Sequence, residues 1–284
     1  MPLVDPVAMS LSPSSPPPPP PPAGKAMITI TTRAPKAKDT GETQPAATLS
    51  SPQAQALRLA HPALLAALFL ARFGALVADP VAEMRAALPV VWAAQAAYAA
   101  VCLPPAGSQA AAAARQARRP RLGEKRRPGT AAAAASSAAD GAGPSISVTT
   151  LVASVLSTIS AVGLHVALVL FGAPFLTHLP HTFLCALHLA LLAMFPLFYT
   201  RGVASGEWLE VLGARAPFDE AFGGAVGACV GAWAGAVPIP LDWDREWQKW
   251  PVTILCGIYA GYLVGKLVGG TVAFGKRFGG SSLS

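Results

Sequence analysis

The feature that most constrains this fold is the repetition of long apolar runs along the chain. We identify six of them, at 57–79, 84–105, 146–174, 178–200, 219–241 and 251–274. Each is long enough for a helix that crosses the roughly 30 Å hydrocarbon core of a bilayer. Because that core contains no water to pair with backbone groups, such runs fold as helices. We therefore predict an all-α, polytopic membrane helix bundle with about six transmembrane helices.

The charge content agrees with a membrane protein. Only 12% of the 284 residues are charged and 53% are hydrophobic, whereas soluble domains carry about 25% charged residues. The net charge of +7 would raise nucleic acid as a partner of a soluble protein. Here the basic residues lie in loops and tails without an aromatic-interleaved patch, so we expect no nucleic acid. They indicate membrane orientation instead.

The basic residues also divide the chain into segments. Seven Lys or Arg between 115 and 127 predict that the loop between the second and third spans is cytosolic. With six spans both termini are then cytosolic, and the short joints face the lumen. The predicted segments are a disordered Pro-rich cytosolic tail (1–55), helices 1–2 (56–105), a basic low-complexity cytosolic loop (106–145), helices 3–4 (146–200), a cytosolic loop (201–218), a Gly-rich hairpin of helices 5–6 with a lumenal Trp turn (219–275) and a cytosolic tail (276–284).

The last two spans carry glycine ladders, in which every fourth residue is Gly. Residues four apart lie near one face of a helix, and a face without side chains lets another backbone approach closely. One interpretation is that the two spans pack on each other as a hairpin. The other is that a ladder receives a helix from a different protein. The ladders are Gly223, Gly227, Gly231 and Gly235 in span five, and Gly257, Gly261, Gly265 and Gly269 in span six.

A charged, Trp-rich stretch, "IPLDWDREWQKWP" at 239–251, joins the two ladders. Its tryptophans match the aromatic belt at a membrane–water interface, and a proline suits the first turn of the following helix. We predict a lumenal turn whose charged residues mark the water boundary. The residues of this turn motif are Asp242, Trp243, Asp244, Arg245, Trp247, Trp250 and Pro251.

Chemistry within this turn is the less favoured interpretation. Asp242 and Asp244 form a D-x-D pattern that can hold a divalent cation, but Arg245 and Lys249 stand close enough to neutralise them. A carboxylate–histidine site with His181 is an alternative, since His181 falls on the same predicted side. We predict no catalytic residue, metal or cofactor.

Two charges lie within predicted spans. An ionisable residue inside a membrane is a functional candidate by default. Arg72 either has such a role, or reaches the nearer interface or the bundle interior. Lys266 either extends to the cytosolic interface or pairs with Asp219 or Glu220 at the start of span five.

The carboxy-terminal part, roughly 201–270, resembles the PIG-F family of GPI-anchor biosynthesis. The resemblance rests on "GAWAGAVPIPLDWDREWQKWPVTILCGIYAGYLVG" at 231–265 and "RAPFDEAF" at 215–222. Glu246 departs from the family pattern, where a proline is expected, and the long tail and the 104–145 insert are peculiar to this chain.

The resemblance implies a multi-pass endoplasmic reticulum membrane protein. It implies a non-catalytic subunit that binds and stabilises GPI ethanolamine-phosphate transferases, with the ladders and Trp turn as its docking surface and the GPI precursor among the lipids it meets. The alternative is a membrane transferase or lipid-binding protein with its own lumenal Asp/His site. A small-solute transporter ranks last, because only Arg72 and His165 provide polar groups at mid-membrane.

Overall fold

The computed structural model describes residues 43–108, 145–241 and 243–278. Most of the predicted tail 1–55, nearly all of the loop 106–145, Asp242 and the last six residues lie outside the described residues.

The described chain is built from helices alone. Their bounds are α1 Pro52–Ala78, α2 Pro80–Cys102, α3 Ile146–Leu170, α4 Leu179–Leu189, a π-helical stretch Ala190–Met194, α5 Phe195–Arg201, α6 Ser205–Leu212, α7 Glu220–Gly235, a 3-10 turn Glu246–Gln248 and α8 Val252–Gly270. The predicted all-α membrane fold is confirmed.

Four segments are long and apolar enough to cross a membrane: Pro52–Ala78, Ile146–Leu170, Leu179–Arg201 and Val252–Gly270. Helix α7 has 16 residues and rises only about 24 Å at 1.5 Å per residue. Helix α2 carries Glu83 and Arg85 in its first half. The count of six spans therefore stays a prediction.

Capping residues start the first two helices. The Ser51 hydroxyl accepts a hydrogen bond from the Ala54 amide, and Asp79 accepts one from the Ala82 amide. Each cap precedes a proline at the first helical position, where a missing N–H costs nothing. Asp79 is the whole joint between α1 and α2, which folds them into a tight hairpin. The first helix begins at 52, inside the segment predicted as tail.

The segment Leu179–Arg201 is the central helix of the bundle. In its most apolar stretch 78% of the residues are buried, whereas the corresponding share is 17% for α3 on the periphery. Its π-helical stretch runs into Pro196. A proline ring would press on the carbonyl four residues earlier, and the wider turn gives it room.

Loops tie the helices together at one end of the bundle, called here the terminal end. The Leu49 amide donates to the Cys102 carbonyl at 2.8 Å, and the Phe218 amide to the Lys276 carbonyl at 2.9 Å. Arg277 donates to the Thr43 carbonyl at 2.5 Å. Both described ends of the chain thus lie at the same end of the bundle. The opposite end, with residues 171–178 and 236–251, is called here the turn end.

The two glycine ladders face each other across α7 and α8. A Cβ at any of the eight ladder glycines would lie within 3 Å of a backbone atom of the facing element. Gly231 faces Gly257 and Gly261, and Gly227 faces Gly261 and Gly265. The structure thus has the hairpin arrangement, in which each ladder is the contact surface for the other.

A side chain in this contact should separate the hairpin. We expect Gly231→Leu to lower the melting temperature and yield of the purified protein, because the new side chain meets backbone that has no freedom to rotate away. Overpacking of this kind costs about 1–3 kcal/mol or more.

Gly74→Leu and Gly163→Leu provide matched controls. Both glycines lie in long helices with nothing within 4 Å of an added Cβ. Their melting temperatures should stay at or above the native value, since Gly is a poor helix former. Equal losses at all three positions would contradict the hairpin.

Candidate functional site

An apolar groove runs along the outer side of the α7–α8 hairpin. We call it the hairpin groove. Its cavity volume is about 760 Å³. The floor contains the half-buried Gly227, Gly261 and Gly265, so these residues serve both the hairpin contact and the groove. The walls are formed by small side chains, namely Val226, Val230, Ala234, Ala260, Val264 and Val268.

The two ends of the hairpin groove differ. At the terminal end it is bounded by Lys276 and Arg277. Toward the turn end it is lined by small residues, Gly231, Ala234 and Gly257. A floor of small residues is typical of a surface that receives another helix.

Gln248 holds the Trp turn in shape. Its side-chain amide nitrogen donates to the carbonyls of Pro238 at 2.9 Å and Leu241 at 2.5 Å, and its oxygen accepts from the Arg245 amide at 3.0 Å. One side chain therefore fixes the path between the end of α7 and the start of α8.

The tryptophans of the turn have different surroundings. Trp243 and Trp247 lie edge to face with ring centroids 5.8 Å apart, and Trp243 is largely exposed. Trp250 donates its indole N–H to the Thr182 hydroxyl at 3.2 Å. That bond joins the turn to the first turn of α4, so the turn is anchored to the central helix.

The structure does not join Asp244 to His181, one of the two pairs of the alternative Asp/His site. His178 and His181 lie together with ring centroids 5.0 Å apart. Within the described ranges, no hydrogen bond or ion pair links Asp244 to His181, and no group of three metal-ligating side chains occurs. Asp244 is exposed and adopts φ 52°, a left-handed conformation that Asp tolerates. Asp242 lies outside the described residues.

Arg72 has a specific partner that sequence reasoning missed. Its guanidinium donates to both carboxylate oxygens of Glu83, at 2.8 and 2.7 Å. Paired forks of this kind are strong. Arg72 lies about two turns before the Asp79 joint, so the pair ties the α1–α2 hairpin together near the turn end.

A fully buried ion pair lies at the terminal end. Arg201 donates from Nη2 to Asp219 Oδ2 at 2.7 Å, and the two side chains are 3% and 0% exposed. Asp219 also accepts from the amides of Ala46 at 3.0 Å and Phe222 at 2.8 Å. Asp219 therefore caps α7, forms an ion pair with Arg201 at the end of α5, and holds the segment before α1 through Ala46. In the neighbouring helix α6, burial raises the pKa of Glu207 and the nearby Arg201 opposes that rise.

A second buried cluster surrounds Glu220, the first residue of α7. Glu220 forms an ion pair with Arg58 of α1 and accepts a hydrogen bond from Tyr98 of α2. Lys266 of α8 lies 3.8 Å from it, so of the interpretations open for Lys266 the structure has the pairing with Glu220. Lys266 also contacts His61 at 3.0 Å and the Tyr98 ring at 3.3 Å from its centroid.

Arg58, His61 and Tyr98 were not identified as site residues from the sequence. His61 is 205 positions from Lys266. A single sequence contains no signal that joins positions so far apart. A charged residue at the start of an apolar run, such as Arg58 at the second position of 57–79, is the one hint that the sequence offers.

Known proteins match this chain over most of its length. The model of the family described as GPI biosynthesis protein family Pig-F matches residues 60–270. Three fungal proteins, each named Glycosylphosphatidylinositol anchor biosynthesis protein 11, are similar. The Neurospora crassa protein is 52% identical over 98% of this chain and 100% of its own length. The Pyricularia oryzae protein is 46% identical over 96% of each chain, and the Aspergillus fumigatus protein 40% over 73% and 76%. No solved structure matches.

The buried Arg201–Asp219 pair should be essential for stability. We expect Asp219→Ala to destabilise the protein by about 3–5 kcal/mol, because it leaves a buried guanidinium without a partner. Asp219→Asn keeps an acceptor for the cap but loses the charge, and should fall between Ala and the native residue. Thermal unfolding in detergent measures both.

Glu246→Ala is the control. Glu246 pairs with Lys249 at 3.5 Å on the surface of the Trp turn, and exposed pairs contribute at most about 1 kcal/mol. Similar losses for Asp219→Ala and Glu246→Ala would show that burial of the first pair does not matter.

Proposed function

The chain belongs to the GPI biosynthesis protein family Pig-F, and from that premise we propose that it is a non-catalytic membrane subunit of GPI ethanolamine-phosphate transferases. A role in GPI-anchor biosynthesis and a membrane location follow from the family and the apolar helices. The proposal adds the endoplasmic reticulum, a multi-pass topology with cytosolic termini, and the transferase as partner that the chain binds and stabilises.

The hairpin groove is the observation that carries the proposal. Its walls are Val and Ala and its floor is Gly, so a helix lying in it would approach two backbones at once. Between membrane helices, association depends on close packing rather than on the hydrophobic effect. A concave face of small residues is therefore suited to a helix more than to mobile lipid chains.

Helix α3 shows the contrast within the same molecule. Its exposed face is formed by Leu and Ile together with Val, namely Leu151, Val155, Ile159, Val162, Val166 and Leu170. It projects outward and leaves no floor of glycines, as expected for a surface in contact with lipid. The difference between the two faces argues that the hairpin groove has a protein occupant.

The Trp turn extends the proposed docking surface. Trp243 is exposed, while Trp250 and Gln248 fix the turn to the rest of the bundle. A rigid, aromatic surface loses little conformational entropy on binding. We propose that it meets the lumenal ends of the transferase's membrane helices, while the eight ladder glycines hold the hairpin that displays both surfaces.

A tryptophan in the groove should break the complex without unfolding the chain. Val230 is 58% exposed on the groove wall, so Val230→Trp fills the groove and leaves the hairpin contact intact. We expect its melting temperature to stay within a few degrees of the native value. The co-purified ethanolamine-phosphate transferase, measured by gentle-detergent pull-down and mass spectrometry, should fall at least tenfold.

Leu151→Trp is the matched control, since Leu151 is 65% exposed on α3 away from the groove. It should leave the amount of transferase unchanged. Asp244→Asn and His181→Ala test the alternative of a site with its own chemistry. If these two abolish ethanolamine-phosphate transfer while the complex stays intact, the chain takes part in catalysis and the subunit proposal is wrong.

A further inference from the structure

The cluster around Glu220 contains more positive than negative charge. Arg58 and Lys266 both converge on this one carboxylate. The adjacent acid, Asp219, is already paired with Arg201. Within the described parts of the chain, no other carboxylate makes an ion pair with either cation. The cluster therefore has one uncompensated positive charge.

Two contacts of Lys266 are of a kind that suits an ammonium group. Its ammonium lies 3.3 Å from the centre of the Tyr98 ring, a favourable cation–π arrangement. His61, which stacks on the same ring with centroids 4.5 Å apart, offers Nδ1 as an acceptor at 3.0 Å. Neither neighbour supplies negative charge, so they hold the cation without neutralising it.

Arg58 has donor capacity that the protein does not use. Its Nε serves Glu220, and its Nη2 donates to the Gly270 carbonyl at 3.0 Å. Its Nη1 makes no hydrogen bond among the described residues. The side chain is 36% exposed, so this third nitrogen is accessible from outside the bundle. An arginine fork of this kind matches phosphate and carboxylate oxygens.

A groove between α1 and α8 leads from these cations into the apolar part of the bundle surface. We call it the α1–α8 groove. Its cavity volume is about 570 Å³, within the 300–1,000 Å³ typical of small-molecule sites. Arg58, Glu220 and Lys266 line one part. The remainder is mainly apolar, formed by Leu59, Pro62, Leu263, Val264 and Leu267.

Both cations lie within two turns of a helix end, from which a long basic side chain reaches the headgroup region of a membrane. Arg58 is six residues into α1 and Lys266 four residues before the end of α8. At 1.5 Å per residue these positions are about 9 Å and 6 Å from the helix ends. Both helix ends belong to the terminal end of the bundle. The charged groups therefore lie nearer that end and the apolar walls farther from it, in the same order as the headgroup and acyl chains of a lipid.

We propose that the α1–α8 groove binds an anionic glycerophospholipid. Its headgroup phosphate accepts hydrogen bonds from Arg58 and faces Lys266, and one acyl chain lies along Leu59 and Leu267. A neutral lipid would leave the excess charge uncompensated in a medium where that is costly. Free phosphate would leave the apolar walls uncovered. The site is separate from the hairpin groove and does not depend on the proposed subunit role.

The test uses the full purified chain in detergent, with phosphatidylserine, phosphatidylinositol and phosphatidylcholine added separately. Native mass spectrometry counts bound lipid, and the melting temperature reports stabilisation. The two anionic lipids should bind at least tenfold more tightly than phosphatidylcholine. Equal binding of all three lipids would overturn the proposal, as would full displacement of bound lipid by inorganic phosphate alone.

Two variants locate the site. Arg58→Gln removes the headgroup donor, and Leu267→Trp fills the apolar wall without touching a charged group. Each should reduce binding of anionic lipid at least tenfold. Arg58→Gln also removes a partner of Glu220. If this variant does not fold, the Leu267→Trp result alone tests the site. Arg245→Gln, at an exposed position of the Trp turn, is the control and should bind within twofold of the native chain. Unchanged lipid binding in Leu267→Trp would show that the lipid lies elsewhere.

Discussion

Direct backbone contact between α7 and α8 is the constraint on which the rest of the structure depends. No side chain separates the two helices along their facing ladders, so their relative position is set by backbone geometry. Dispersion and Cα–H···O contacts are available only at this distance. The hairpin presents Glu220 and Lys266 at the terminal end and the Trp turn at the other. The geometry of both proposed surfaces, the one at Glu220 and Lys266 and the Trp turn, therefore depends on the glycines.

The terminal end is held by buried ion pairs as well as by apolar packing. Asp219 and Glu220 are consecutive residues, yet each has a different arginine, Arg201 of α5 and Arg58 of α1. With the contacts of Glu220 to Tyr98 and Lys266 included, they tie four helices, α1, α2, α5 and α8, and the segment before α1 to the start of α7. Breaking such a pair is costly because it leaves a buried charge. The arrangement fixes the helix ends more specifically than interchangeable apolar side chains would.

The sequence predicts contacts that are local or periodic. Each ladder repeats within a single span, so packing of the two spans as a hairpin was one of two interpretations open from the sequence, and pairing of Lys266 with Asp219 or Glu220 was likewise one of two. The Arg72–Glu83 pair spans only eleven positions, but it crosses a joint whose single-residue length was not evident. Arg201 and Asp219 lie at the two ends of the predicted cytosolic loop, so the sequence did not predict that they are buried. The contacts of Arg58, His61 and Tyr98 depend on how helices distant in sequence pack together. A single sequence contains no pattern from which that packing can be predicted.

The positions of the described polar side chains bear on the proposal that the chain is a scaffold rather than an enzyme. The buried charges of the terminal end are occupied with one another, apart from the excess at the α1–α8 groove. At the turn end, where transfer to the GPI glycan would take place in the predicted topology, the described polar side chains serve the turn itself, as Gln248 does. Catalysis needs polar groups that converge on a substrate rather than on the protein. Polar groups directed inward and a small-residue groove directed outward support the proposal that the chain holds another membrane protein.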